Sequence, residues 1–183
     1  MFNYLKKIFS IFLIFNLTFV TSAQAAATEF VDAFDISPQE TSPEGIAFNN
    51  DGTKMFVVGS AGLNVNEYTL TTVFDVSTAV FRLAFSVVLD PIPSGLAFNN
   101  DGTKMFVVSF QDKDVNEYEL STAFDVSTAA FRLAFSVAAQ DTGPNDIAFN
   151  NDGTKMFVVG FQDEDVNEYT LSVGFDLTST VTF

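Results

Sequence analysis

The sequence predicts an all-β protein made of three repeats, each folding as one four-stranded antiparallel sheet. Three observations carry this prediction. The eleven residues Phe-Asn-Asn-Asp-Gly-Thr-Lys-Met-Phe-Val-Val recur unchanged at 48–58, 98–108 and 149–159, a period of about 50 residues that marks a repeat architecture. Aromatic and β-branched residues are spaced at two within each copy, and no helical period appears beyond residue 25. All five prolines (Pro38, Pro43, Pro91, Pro93 and Pro144) fall in one class of connection, where no ladder donor is lost.

Taken in order, each repeat reads as strands A to D. Strand A is a short apolar run at 45–48, 95–98 and 146–149. Asn-Asp-Gly then supplies a tight reversal, because Asn, Asp and Gly tolerate positive φ or bond their own backbone. Strand B follows at 54–59, 104–109 and 155–160, and strand C at 65–70, 115–120 and 166–171. Phe-Asp-Val-Ser-Thr-Ala at 74–79 and 124–129 connects C to D. Strand D reads Phe-Arg-Leu-Ala-Phe-Ser-Val-Val at 81–88 and Phe-Arg-Leu-Ala-Phe-Ser-Val-Ala at 131–138, and Phe30 to Ser37 aligns with it as an N-terminal strand D.

Ahead of the repeats stands a leader. Lys6 and Lys7 form a positive n-region, 8–20 is mostly apolar, and Ala23-Gln24-Ala25 has the small-x-small form of a cleavage site. The run is shorter than the ~20 residues that span a bilayer. The expectation is a signal peptide at 1–25, a mature domain at 26–183 with no membrane span, and a secreted or periplasmic protein. The mature part carries six Lys and Arg against 23 Asp and Glu, a net charge of −17. Such a surface repels nucleic acid and anionic membranes. With no Cys there are no disulfides, and 23 Phe with no Trp make Phe the main core filler.

Four short strands per repeat fit one β-propeller blade. The blade cores are 45–88, 95–138 and 146–183 plus 30–37. Pro43-Glu-Gly-Ile-Ala-Phe-Asn-Asn-Asp-Gly-Thr-Lys-Met-Phe-Val-Val58, followed by Val65-Asn-Glu-Tyr-Thr-Leu70, resembles the YVTN and NHL families of propeller repeats. The resemblance implies the fold and leaves the function open. It departs at strand B, where Phe stands for the usual Tyr and Gly59, Ser109 or Gly160 for the closing Asn or Asp. Three blades fall below the four to eight of closed propellers. The expectations are a partial ring, or half of a six-bladed homodimer whose N-terminal strands complete the partner's last blade.

In a propeller the D–A and B–C connections share one face, here called the top. Differences among the three copies gather there, whereas the A–B turns are identical. The expected ligand face is acidic: Glu40, Glu44, Asp90, Asp112, Asp114, Asp141, Asp146, Asp163, Glu164 and Asp165. Asp112, Asp114 and Asn116, with Asp163, Asp165 and Asn167, have the D-x-D-x-N spacing that opens a calcium loop. The Gly and bidentate Glu of a full calcium loop do not follow. Glu67, Glu117 and Glu168 are expected on the solvated face of strand C, or in surface pairs of little worth with Lys54, Lys104 and Lys155. No His and no Cys means no His-based proton shuttle and no thiol chemistry. The expected role is an exported binding module for a protein or carbohydrate. The alternative is a carboxylate-dependent hydrolase or lactonase, with calcium as its only candidate cofactor.

Overall fold

The computed structural model describes residues 29–87 and 91–183. The leader at 1–25 and Asp90 lie outside the described residues. Of the unit spanning 1–31, only Glu29, Phe30 and Val31 are described, all exposed and without regular structure. Among the described residues no helix is long and apolar enough to cross a membrane.

The described residues of 32–183 carry twelve strands in three antiparallel sheets. The first comprises β1 (Pro43–Phe48), β2 (Lys54–Gly59), β3 (Asn64–Leu70) and β4 (Ala79–Ser86). The second comprises β5 (Pro93–Phe98), β6 (Lys104–Ser109), β7 (Asp114–Leu120) and β8 (Ala129–Ser136). The third comprises β9 (Pro144–Phe149), β10 (Lys155–Gly160), β11 (Val166–Leu171) and β12 (Val181–Thr182). Each sheet runs in sequence order, and the inner strands β1, β5 and β9 lie side by side. These are propeller blades packed face to face about an inner edge.

Two expectations are corrected. Pro43, Pro93 and Pro144 do not precede the inner strands but begin them, an edge position where a missing N–H costs no ladder bond. Residues 30–36 are not a strand, and the fourth strand of the third sheet is β12 instead. The segment still packs: Phe34 and Ile36 join Met55, Val57 and Tyr68 on the first sheet.

The invariant turn is explained residue by residue. Gly102 has φ 72°, and its missing Cβ leaves room for the ring of Phe124, which such an atom would meet at 2.2 Å. Asp101 Oδ1 accepts from the Thr103 amide at 3.0 Å, and Asn99 Oδ1 accepts from the Lys104 amide at 2.9 Å. Asn50 Nδ2 reaches across to the carbonyl of Asn100 at 2.6 Å, and Asn100 does the same to Asn151. The motif is repeated because it closes a turn and also ties each blade to the next.

Strand B of the first two blades is apolar beyond its lysine because both its faces are covered. Phe56 and Val58 face the second blade with Val65, whereas Met55 and Val57 face away with Tyr68 and Leu70. The strand C glutamates are corrected too. Glu67 and Glu117 are fully buried. Glu117 takes Lys104 Nζ at 2.8 Å, Arg132 Nη1, and the backbone N–H of Leu177 in the next blade at 2.9 Å. Glu67 is held likewise by Lys54, Arg82 and the Val126 N–H at 3.1 Å. The cations continue the crossing: Lys54 donates to the Phe124 carbonyl at 2.6 Å, and Arg82 forks onto Asp125 at 2.8 and 3.0 Å. Arg82 holds the Asp125 carboxyl well below the usual carboxylate range. Only Glu168 behaves as expected, forming an exposed pair with Lys155.

Two outcomes follow from this packing. Glu117→Ala strands two cations and an amide between blades and is expected to cost about 3–5 kcal/mol in denaturant unfolding. Gly102→Ala combines left-handed backbone with a clash on Phe124 and is expected to cost about 3 kcal/mol by the same measurement.

Candidate functional site at the hub of the top face

The predicted sidedness is present in the hydrogen bonds. At the top, the first residue of each B–C turn donates its amide to the D–A connection: Ser60 to Ser42 at 3.0 Å, Phe110 to Ile92 at 3.0 Å and Phe161 to Gly143 at 2.9 Å. At the bottom, A–B turns bond C–D connections, as in Phe74 to Gly52 at 2.9 Å. Among the described residues the sequence-predicted acids gather only in small groups, Asp141 with Asp163 and Asp165, and Asp112 with Asp114.

Glu40 is buried and spans the B–C turn of its own blade. Its carboxylate accepts from the amides of Ser42, Ala61 and Gly62 at 2.7, 3.2 and 3.0 Å. A Cβ at Gly59 would sit 2.3 Å from the Glu40 carboxyl carbon, which explains the glycine closing strand B. Asp141 fills the same place in the third blade with a shorter reach. One oxygen accepts from Gly143 N at 2.8 Å, and the other is buried with no hydrogen-bond partner. Burial, with Asp163 and Asp165 nearby, pushes the Asp141 carboxyl up. Asp163 is exposed, accepts from the Thr142 amide and hydroxyl, and is held down by those bonds.

The D-x-D-x-N stretches form hydrogen-bonded pairs. Asn116 donates its Nδ2 to Asp114 at 2.9 Å, and Asn167 donates to Asp165 at 2.9 Å. Burial and the neighbouring Asp112 push the Asp114 carboxyl up. Glu164 occupies a turn position with φ 56°, as do Leu63 and Lys113 in the other blades. Among the described residues no group of three or more acidic side chains is placed to hold a metal ion. Asp146 is exposed and lines a groove of about 160 Å³ on the outer side of the third sheet, with Phe157 and Val166.

What the fold does bring together lies at the hub. A cleft of about 310 Å³ takes Glu44 from the first blade, Ile92, Ser94 and Phe110 from the second, and Asn145 and Phe161 from the third. Glu44, Ser94 and Asn145 occupy one repeat position, just after the strand-opening proline. Phe110 and Phe161 occupy another, matched by Ser60 in the first blade. Glu44 is oriented by the hydroxyls of Ser42 and Ser60 at 3.2 and 3.1 Å. Ser94 is buried, its hydroxyl directed to the carbonyls of Val108 and Pro144, each at 3.4 Å. Phe161 is 74% exposed, a large apolar ring turned to solvent. Of these six, sequence reasoning named Glu44 alone. The available signal was divergence: these two positions differ among otherwise repeated copies.

With this geometry the chain falls into the β-propeller class, and comparison with solved structures agrees. It is similar to a proposed 6-phosphogluconolactonase of Bacteroides uniformis, at 13% identity and a TM-score of 0.58, over 76% of this chain and 39% of that one. It is similar to the periplasmic gluconolactonase of Pseudomonas aeruginosa, at 16% identity and 0.56, over 77% and 38%. A β-propeller domain from Myceliophteria thermophila matches at 10% identity and 0.50, over 69% and 39%. At such identities the likeness is one of fold. The chain spans about two fifths of the length of these structures. No protein-family model matches the sequence, and no curated protein does.

The Asp141 carboxyl gives a pH prediction. A raised folded-state pKa means that its stabilising contribution is complete below the unfolded pKa and is lost as pH rises through the folded one. At neutral pH the buried carboxylate is a cost of about 1–2 kcal/mol. Asp141→Asn is therefore expected to raise the melting temperature at neutral pH. The gain should shrink as the pH falls through the raised folded-state value and be gone below the unfolded carboxylate range, as thermal melts across pH would record.

Proposed function

We propose that this chain is an exported, YVTN/NHL-like β-propeller module that binds a neutral carbohydrate in the cleft at the hub of its top face. The observation that carries the reading is the cleft itself, where two phenylalanines flank a carboxylate and an amide from different blades. A sugar ring offers apolar C–H faces to an aromatic ring and hydroxyls to side chains such as Glu44 and Asn145. The volume of about 310 Å³ suits one or two sugar units. Charge argues for a neutral ligand. Of the six basic residues after residue 25, Lys54, Arg82, Lys104, Arg132 and Lys155 pair with the strand C glutamates. That leaves Lys113 alone in a top-face turn, against an acidic face that repels phosphate.

A second reading, a carboxylate-dependent lactonase at the same cleft, is favoured by the lactonase descriptions among the solved neighbours. Glu44 is the carboxylate positioned for it, and calcium assistance would appear as a thermal shift on calcium addition.

Two substitutions separate the readings. Phe161→Ala removes an exposed ring, so folding should be unchanged, and affinity for neutral oligosaccharides on a glycan array should fall about tenfold. Glu44→Gln keeps a hydrogen-bonding group and is expected to retain binding; loss of sugar-lactone hydrolysis in that variant would favour the enzyme instead.

A further inference from the structure

The two internal blade interfaces show what each side of a blade requires. The side facing the next blade presents Phe, Val and Val with a buried Glu: Phe56, Val58, Val65 and Glu67, then Phe106, Val108, Val115 and Glu117. The third blade presents the same set, Phe157, Val159, Val166 and Glu168, with nothing among the described residues over it. Val159 is 38% exposed and Val166 is 64% exposed, where their counterparts in the first two blades are all 0%. Burial along β10 and β11 alternates, whereas β2 and β6 are buried on both faces.

The opposite side of the first blade is equally incomplete. Its groove of about 260 Å³ is lined by Ile36, Ile46 and Val57. Phe74 and Val76 hold the carbonyl and amide that, in the other two blades, receive the preceding blade's lysine and glutamate.

Residues 32–36 identify what belongs between these surfaces. Phe34 meets Tyr68 edge-on at 5.7 Å, as Phe85 of β4 meets Tyr118 at 5.6 Å and Phe135 of β8 meets Tyr169 at 5.8 Å. The amides of Gln39 and Glu40 bond the Ile36 carbonyl as those of Gln140 and Asp141 bond Val137. The segment thus lies against the first sheet where the outermost strand of a preceding blade would lie, and the other strands of such a blade are not among the described residues. The third sheet has the converse shortage. Only Thr170 and Leu171 of β11 are paired on the outer edge, whereas β3 and β7 are paired along their whole length.

We propose that a second copy of this chain covers the third blade, its residues 32–36 extending the sheet beyond β12 along β11. The seam forms head to tail and occurs twice, closing a ring of six blades, within the four to eight that closed propellers use. Lys155 then donates to the partner's Phe74 carbonyl, and Glu168 accepts from the partner's Val76 amide, as their counterparts do inside one chain. The seam differs from the internal interfaces at one position near the hub. Asp146 stands where Gly45 and Gly95 stand, and a Cβ at those glycines would meet the next blade at 2.9 and 2.7 Å. Asp146 therefore holds the seam slightly open. This inference does not depend on the ligand proposed for the cleft.

Sedimentation equilibrium of the purified chain tests it. The expected mass is that of two copies. Val166→Asp and Ile46→Asp, on opposite flanks and both exposed in one copy, should each give a single-copy mass with an unchanged circular dichroism spectrum. Asp146→Gly should tighten the pair by lowering its dissociation constant. A single-copy mass for the unsubstituted chain, a pair that survives both aspartates, or open-ended assemblies in place of two copies would each overturn the proposal.

Discussion

A carboxylate removed from water must be answered by charge and by hydrogen-bond donors, and Glu67 and Glu117 are answered from three directions at once. The donors are a lysine on the second strand of the same sheet, an arginine on the outer strand, and a backbone amide of the next blade. Because the last donor belongs to another repeat, the glutamate specifies where that repeat must sit. Apolar packing between sheets is tolerant of small slides, while a buried ion pair with a crossing amide is not. Buried ion pairs are often poor sources of net stability. Their contribution here is angular: each blade is set against the next with one repeated geometry.

That constraint explains the contrast between the two faces of the blades' ends. The C–D connections supply the partners of the clamp, the Phe124 carbonyl, the Asp125 carboxylate and the Val126 amide and their counterparts, so their backbone path and their aspartate recur in every copy. The top connections are tied by backbone hydrogen bonds that any residue can make. Side chains there are released from the interface, and Ser60, Phe110 and Phe161 can differ without disturbing the frame. A cleft assembled from diverged positions on a uniform scaffold is where ligand chemistry is expected to accumulate.

Several top-face acids turn out to serve the loops. Glu40 satisfies amides in a turn that would otherwise carry unpaired donors, so it belongs to the frame although its residue type suggested a ligand. Asp141 is an imperfect copy of the same device, one methylene shorter and left with an unanswered oxygen. Acidic composition alone could not separate these plugs from carboxylates such as Glu44, whose anchors are flexible hydroxyls near an open cleft.

By itself the sequence determined the local chain geometry. The Asn-Asp-Gly reversals, strand B at its observed limits, the four-strand blade and the division into two faces all follow from interactions among residues close along the chain. The tertiary structure decided burial. A period of two places Glu67 and Tyr68 on opposite faces of one sheet, but it does not say that both faces are covered. That depends on a neighbour about 50 residues away. The same distance hid the hub cleft, since Glu44, Ser94 and Asn145 converge only when three separate blades share one inner edge.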